Sequence, residues 1–456
     1  MNIFSNIDSR EIDNLLVETN KEIISIKDNL FKLDDYIENK FKKIFFLFIE
    51  NSKESILFYY QIIKANHVPI LLSPDLDENS IDILLNKYKP NYILSLKKLK
   101  LIKNKYRNIK NFNKYLLYEE NKKNNHNPHK DLCLLMSTSG TTGSPKFVKI
   151  SYENIYENTH SICKFLKIKS DDTIITTLQP NYTYGLSILN THINMRAKII
   201  LNNNSIIEKN FWKKIDDFKV STFGGVAFMY EMLQRIKFEK ISTPSLKYIT
   251  HAGGKLTPNL HKYILKICKI KSLKFISMYG QTEATSRISY LPWKYSNKKI
   301  SSIGRAIPSG TLFIKGKKDK GEICYKGKNI MIGYAHDYKD LTKKEIIKTL
   351  YTGDYGHKDK DGFFYVDGRK DRYIKLFGHR INLDEIDYYL RDSGFITATI
   401  FNDNKFTVFY EGDYNINDIE KKITDKLKIT KKYILIKKIK NIPMSNSGKI
   451  RFSKLK

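Results

Sequence analysis

Residues 132–146 read Leu-Cys-Leu-Leu-Met-Ser-Thr-Ser-Gly-Thr-Thr-Gly-Ser-Pro-Lys, an apolar run from Leu132 to Met136 that opens onto hydroxyls, glycines and one lysine. Glycines let backbone N–H groups close on an anion, hydroxyls add donors, and Lys146 adds charge, so Ser137 to Lys146 has the composition of a phosphate cradle. The spacing Gly140-x-x-Gly143-x-x-Lys146 differs from the G-x-x-x-x-G-K-[ST] of a P-loop, and the lysine follows Pro145 instead of opening a helix. Taken alone, such a run is a solvated connector. What surrounds it gives it weight.

Upstream, Ile44 to Ile49 is fully apolar and reads as a buried parallel strand. Asn51-Ser52 supplies a cap for a helix whose Ile56, Leu57, Tyr60 and Ile63 fall at helical spacing. Val68 to Leu72 is the next strand, Asp77 to Tyr88 a second amphipathic helix, and Tyr92 to Leu94 a third strand, so the opening is a βαβαβ unit. Asn121 to Lys130 is a polar linker. Beyond the cradle, strands at 174–175, 199–201 and 273–278 continue the alternation, and from Ser301 to Gly333 short strands with Gly turns suggest a β-rich subdomain. A terminal unit begins near Asp371, with helices at 383–392 and 416–427 and strands at 396–401 and 406–410. No internal repeat is visible. The expected fold class is α/β, divided into residues 1–370, with the β-rich part over about 301–370, and a small α+β unit over 371–456.

A chain of 456 residues can bury more than one core. With 41% apolar residues, 25 Phe and 30 Tyr it does not have the composition of a disordered protein. The formal charge of +32 invites a nucleic-acid reading, but the lysines are scattered among Ile and Asn, as a codon bias would leave them, and no nucleic-acid motif accompanies them. The C-terminal stretch from Lys421 to Lys456 differs: thirteen Lys or Arg face one acid, Asp425, a field suited to an acidic carrier protein or the phosphates of coenzyme A. Cys133, Cys163, Cys268 and Cys324 form no C-x-x-C pair and read as small buried hydrophobes in a reducing compartment. No metal cluster is suggested. Residues 1–27 lack the apolar core of a signal peptide and no apolar run approaches the ~20 residues of a membrane span, so a cytoplasmic protein is expected.

Further motifs follow in order: Ala252-Gly253-Gly254; Tyr279-Gly280-Gln281-Thr282-Glu283-Ala284-Thr285; Tyr351-Thr352-Gly353-Asp354; Gly368-Arg369-Lys370-Asp371-Arg372; Gly378-His379-Arg380; and Ser447-Gly448-Lys449-Ile450-Arg451. Together with the cradle they resemble the adenylate-forming superfamily, which comprises acyl-CoA synthetases, adenylation domains of peptide synthetases, D-alanine carrier-protein ligases and firefly-type luciferases. The resemblance runs from about Lys43 to the C-terminus. It implies a large N-terminal domain of two α/β sheets plus a β-rich subdomain, and a small mobile C-terminal lid. The first 40 or so residues lack the family's leading strands, so a trimmed or rebuilt N-terminal edge is expected.

The implied chemistry is activation of a carboxylate by ATP with Mg²⁺, release of pyrophosphate, and transfer of the acyl group to a phosphopantetheine thiol. A carboxylate repels nucleophiles and has no good leaving group, so it must be joined to AMP first, with charge on the α-phosphate stabilised as pyrophosphate departs. By resemblance, Thr138, Ser139, Gly140, Thr141, Thr142, Gly143 and Lys146 hold the departing phosphates. Glu283 is the oxygen ligand for Mg²⁺ and Thr282 donates to the α-phosphate. Tyr279, followed by Gly280 and Gln281, stacks on adenine, while Ala252, Gly253 and Gly254 bring backbone to its other face. Asp354 accepts from the ribose hydroxyls with Arg369 in support, Asp371 is the hinge, and Lys449 is the lid's catalytic cation. The segment from Lys375 to Arg380 would line the thiol channel.

Amino-acid-activating relatives place an Asp after the cradle to pair with the ammonium group. Here residues 179–187 read Gln-Pro-Asn-Tyr-Thr-Tyr-Gly-Leu-Ser, with no acid, which favours an acid lacking an α-amino group. Tyr182, Tyr184, Gly185, Phe223, Gly224 and Gly225 are the expected acyl-pocket residues, and their Tyr and Gly alternation leans towards a fatty or hydroxy acyl group over a bulky aryl one. The acceptor is coenzyme A or a carrier protein acting in trans. Amino-acid loading of a carrier, a basic nucleic-acid-binding protein and a non-catalytic scaffold are the alternatives; the last is at odds with the retention of Glu283, Asp354 and Lys449.

Overall fold

The computed structural model describes residues 3–4, 7, 9–17, 33–37, 41–99, 104–122, 126–138, 146–376, 379–403, 405–444 and 450–455. Among these, two eight-stranded mixed sheets form the body. The first has Ile44–Phe48 at its centre, parallel to Val68–Leu72 on one side and Tyr92–Ser95 on the other; Leu132–Ser137 pairs parallel with Val68–Leu72. Every residue of Ile44–Phe48 is buried, as expected of a strand covered on both faces. The second runs parallel through Lys198–Ile200, Thr173–Ile175, Thr222–Gly225, Tyr248–His251 and Lys274–Tyr279.

Two helices, Lys53–Lys64 and Thr183–Asn194, are packed in the core that both sheets share and are buried on nearly every face, which is why both are rich in apolar residues all round. Tyr59 on the first donates to Asn190 Oδ1 on the second across 3.2 Å, so a buried hydroxyl is satisfied where the helices meet. Ser52 caps the first helix by accepting from Ser55 N, and Asp77 caps Glu78–Tyr88 in the same way through Ser80 N.

At the N-terminal edge, where a trimmed or rebuilt start was expected, Leu16–Val17 pairs parallel with Lys198–Ile200 after a short helix, Ser9–Leu15. An antiparallel hairpin, Tyr106–Phe112 with Tyr115–Glu120, extends the first sheet where the sequence suggested no strand. Of the strands in 301–370, Gly310–Lys317, Lys320–Gly327, Leu350–Lys358 and Phe364–Arg369 form a four-stranded antiparallel sheet. Arg305–Ala306 and Tyr334–Ala335 are instead paired into the second and first large sheets.

After the turn Lys370–Arg372 comes a hairpin, Tyr373–Leu376 with His379–Asn382, and a three-stranded sheet of Ile396–Asn402, Lys405–Glu411 and Ile434–Lys438. Helices Leu383–Asp392 and Ile416–Leu427 cover it, with Ile386, Leu390, Phe406, Val408, Ile419 and Ile423 in a core of its own. All four cysteines are buried and free. No helix among the described residues is long and apolar enough to cross a membrane.

Candidate active site

Leu132–Ser137, Tyr248–His251 and Lys274–Tyr279 run parallel within their sheets and end at Thr138, Ala252 and Gly280, so three motif loops gather beyond the carboxyl ends of strands, where open α/β sheets bind ligands. They line a cavity of about 980 Å³, closed on its other sides by the four-stranded sheet and by the C-terminal unit. Thr138, Lys146, Tyr182, Tyr184, Ala252, Gly253, Gly254, Tyr279, Gly280, Gln281, Thr282, Glu283, Asp354, Arg369 and Asp371 all border it. Residues 139–145 and Lys449 lie outside the described residues, as do Ser447 and Gly448; so do residues 377–378 of the expected thiol channel.

The tightest cluster joins three motifs. Tyr279 donates its hydroxyl to Asp354 Oδ2 at 2.5 Å, and Arg369 Nη1 reaches Asp354 Oδ1 at 3.2 Å. Burial and the adjacent Asp354 carboxylate hold the Tyr279 phenol far above its ordinary range, so it remains a donor. Asp354 is fixed by its own backbone: its N–H bonds Thr352 Oγ1, whose hydroxyl donates to Ile323 O, and Gly353 takes the left-handed φ of +72° that turns the strand here. Arg369 Nε lies 3.6 Å from Asp371, which is exposed on the 3-10 turn leading into the C-terminal unit.

A second cluster links the other end. Lys146 Nζ sits 4.1 Å over the ring of Tyr334, and Tyr334 donates to Glu283 Oε1 at 2.9 Å. Glu283 Oε2 has no partner among the described residues, and no group of three His, Cys, Asp or Glu converges anywhere among them. One carboxylate with an oxygen unpartnered among the described residues, in the cavity that Lys146 borders, fits Mg²⁺, which keeps most of its shell as water and substrate phosphate. Gln281 Oε1 is buried at the same wall without a partner among the described residues, a polar atom that a nucleotide in the cavity could satisfy.

Glycines here serve different ends. Gly280 is required by the chain itself, because a Cβ there would lie 1.6 Å from Ser286 O. Gly253 has φ +86° and a Cβ would meet the Tyr182 hydroxyl, whereas at Gly254 the space is open except for Ala227. Phe223, Gly185, Gly224 and Gly225 do not border the cavity. Phe223 packs on Phe211 and Phe238 in the core on the sheet's other face. The space a side chain would take at Gly224 is filled by the Tyr184 hydroxyl, and at Gly225 by the Tyr230 ring, so neither glycine leaves room for a chain. Gly185 lets the helix start close against Gln179 O.

Residues not expected from the sequence complete the walls: His251, Lys255, Arg287 and Tyr334 from the body, with Tyr388, Ile450 and Phe452 from the C-terminal unit. Lys255 bridges the two, donating to Val366 O at 2.8 Å with its ammonium 4.9 Å from the Tyr388 ring. Arg372 forks onto Asp384 and Asp387, each at 2.8 Å, and stacks 3.7 Å from the Phe452 ring.

A two-sheet α/β body, a nucleotide-sized cavity at its strand ends and a terminal α+β unit across the mouth define a nucleotide-using ligase. Residues 41–335 match the family described as AMP-binding enzyme, and the chain belongs to that family. It is an enzyme of the AMP-forming acid–thiol ligase class, with ATP and Mg²⁺ as the cofactors of that class. A 2-succinylbenzoate–CoA ligase of Listeria innocua is 29% identical over 334 residues, 71% of this chain and 69% of the relative. A long-chain-fatty-acid–CoA ligase of Bacillus subtilis is 27% identical over 276 residues, 57% of this chain and 48% of the relative. Among solved structures, o-succinylbenzoate CoA synthetase from Bacillus subtilis with its acyl-adenylate intermediate superposes with a TM-score of 0.79 at 19% identity, covering 98% of this chain and 97% of that one. The same synthetase with ATP and magnesium gives 0.72 at 20% identity, covering 93% and 90%.

Proposed function

We propose that this enzyme joins a carboxylic acid to AMP, releasing pyrophosphate, and then passes the acyl group to the thiol of coenzyme A. The observation that carries the reading is the convergence of Thr138, Lys146, Tyr279, Thr282, Glu283 and Asp354 on one cavity from three separate sheets. In that reading the Asp354 carboxylate, steadied by Arg369 and Tyr279, takes the ribose hydroxyls, and Tyr279 and Gly253-Gly254 flank adenine. Thr282 donates to the α-phosphate, Lys146 with Ser139 to Gly143 holds the departing phosphates, and Glu283 holds Mg²⁺, whose charge screens those phosphates. Lys449 is the lid's cation for the growing charge of the first step. The division at Asp371 makes residues 371–456 a lid that presents Lys449 first and a thiol path second.

Substrate choice follows from the absence of any acid in residues 179–187, which favours an acid without an α-amino group. The leaning towards a fatty or hydroxy acyl group gains nothing from Gly224 and Gly225, whose vacancies are filled by Tyr184 and Tyr230, and one relative acts on the aryl acid 2-succinylbenzoate. Aryl acids therefore belong on the substrate panel. The test is acid-dependent ATP–pyrophosphate exchange, followed by thioester formation on adding coenzyme A. Exchange without thioester would move the acceptor to a carrier protein, and exchange with D-alanine alone would favour amino-acid loading.

A further inference from the structure

Lys255 stands where the body and the terminal unit meet. It follows Ala252-Gly253-Gly254 directly, so it is carried by the loop that ends the strand Tyr248–His251 at the cavity. The body fixes its ammonium through one bond, to Val366 O at 2.8 Å on the strand Phe364–Arg369. On the other side it meets no carboxylate at ion-pair distance among the described residues, but the face of Tyr388, whose ring centre is 4.9 Å away. Burial lowers the pKa of the lysine, and three acids counter this at longer range: Asp367 from the body, then Glu385 and Asp384 from the first turn of the terminal helix Leu383–Asp392. The lysine is held by one unit and offers its charge to the other.

The remaining contacts of that helix are of two kinds. Near its start, Asn382 Nδ2 donates to Asp367 O at 2.8 Å and Asp384 Oδ2 accepts from Arg369 N at 3.0 Å, pairs fifteen residues apart that straddle Asp371. At its end, Asp392 accepts from Asn259 N at 3.2 Å through Oδ1 and from Asn259 Nδ2 at 3.3 Å through its carbonyl, both in contact with water and therefore weak. Lys255 on Tyr388 lies between them, with both side chains half-buried, where a lower dielectric strengthens the attraction. With the helix docked in this way, Ile450 and Phe452, which follow Lys449 in the chain, border the nucleotide cavity.

We propose that Lys255 is a positioning residue for the first half-reaction: its contact with Tyr388 holds the terminal unit in the arrangement that serves adenylate formation and is given up when the thiol path opens. This rests on the ligase and lid readings above and adds the residue that sets the balance between the two arrangements. In those readings Gly253 and Gly254 flank adenine, so a filled nucleotide site steadies the loop on which the helix docks, and ATP favours the docked state through that loop.

Nitroxide labels at Lys213→Cys in the body and Lys421→Cys in the terminal unit, both exposed positions, read the distance between the units by pulsed electron resonance, the four native cysteines being buried. With ATP and Mg²⁺ the full-length protein is expected to show one dominant distance, that of this structure, and Lys255→Met is expected to lower its population by about half or more. For the acid that gives the fastest ATP–pyrophosphate exchange, Lys255→Met is expected to lower kcat by about tenfold, while KM for ATP and thioester formation from ready-made acyl-AMP each change by less than about twofold. Lys255→Arg, which keeps the charge and the donor, is expected to restore most of the rate. Tyr388→Leu is expected to give the same split, and the double variant to lose no more than the poorer single one. Equal losses in both half-reactions, a rise in KM for ATP alone, losses that multiply in the double variant, or an unchanged distance distribution would overturn the assignment. Should Lys255→Met fail to fold, Tyr388→Leu carries both measurements. An unchanged distribution with exchange intact removes this inference and leaves the ligase reading standing, whereas a wild type that binds no ATP removes both.

Discussion

At the scale of single residues, Asp354 does the most with the fewest atoms: one carboxylate receives a phenol, faces a guanidinium and ends a turn that Gly353 makes possible. Replacing it by Ala removes a charged acceptor worth about 1.5–3 kcal/mol to each partner it serves, so Asp354→Ala is expected to raise KM for ATP by about tenfold to hundredfold with kcat less affected. Initial-rate kinetics at varied ATP checks this; an unchanged KM would put the ribose elsewhere. Gly280 acts through space alone. Since a Cβ there meets Ser286 O at 1.6 Å, Gly280→Ala is expected to lower stability by about 2–4 kcal/mol, read by urea denaturation, or to prevent folding. Asp354 was legible in the sequence because a motif carries it. Arg287 was not, because a chain with basic residues scattered along its whole length offers no local sign of which one is buried.

Among the elements, the two helices of the terminal unit were expected where they lie. Helix Leu383–Asp392 begins after Asn382, which accepts from Asp384 N, and Ile416–Leu427 after Asn415, which accepts from Asn417 N; both were expected with these ends. The hairpin Tyr106–Glu120 was hidden because its outer strand is polar on both faces, Arg107, Asn108, Lys110 and Asn111, and owes its existence to an edge supplied by Tyr92–Ser95. Two-residue strands such as Tyr334–Ala335 carry no periodicity at all. In Leu383–Asp392, Asp387 is buried against Arg372, and burial, only partly countered by that arginine, pushes its carboxyl up to about 7. Between the ordinary carboxylate range and that value the folded chain holds a proton the unfolded chain has lost, so this group's contribution to stability falls as pH rises and levels off above about 7. The stability advantage of wild type over Asp387→Asn is therefore expected to be larger at pH 5 than at pH 8, measured by urea midpoints of both proteins; an advantage independent of pH would refute the assignment.

On the scale of the whole molecule, the overall arrangement was readable because the motifs follow one another along the chain in the order of the family to which it belongs. The contact between body and terminal unit was not. It is made by Lys255 on the Tyr388 ring and by Asn259 on Asp392, pairs separated by more than 100 residues with nothing in the local sequence to announce them. On the proposed lid role of the terminal unit, the two half-reactions separate by mutation: Lys449→Ala is expected to abolish adenylate formation while sparing thioester synthesis from acyl-AMP added ready-made, and equal loss in both assays would contradict it. The four cysteines have a practical counterpart. Each is buried, and burial raises each thiol above its usual range, so a chromogenic disulfide reagent added to the native enzyme should register the sulfhydryl of the coenzyme and nothing of the polypeptide. Consumption of coenzyme A, the proposed acceptor, can then be followed continuously in the cuvette, and any slow rise in colour without substrate becomes a clock for unfolding.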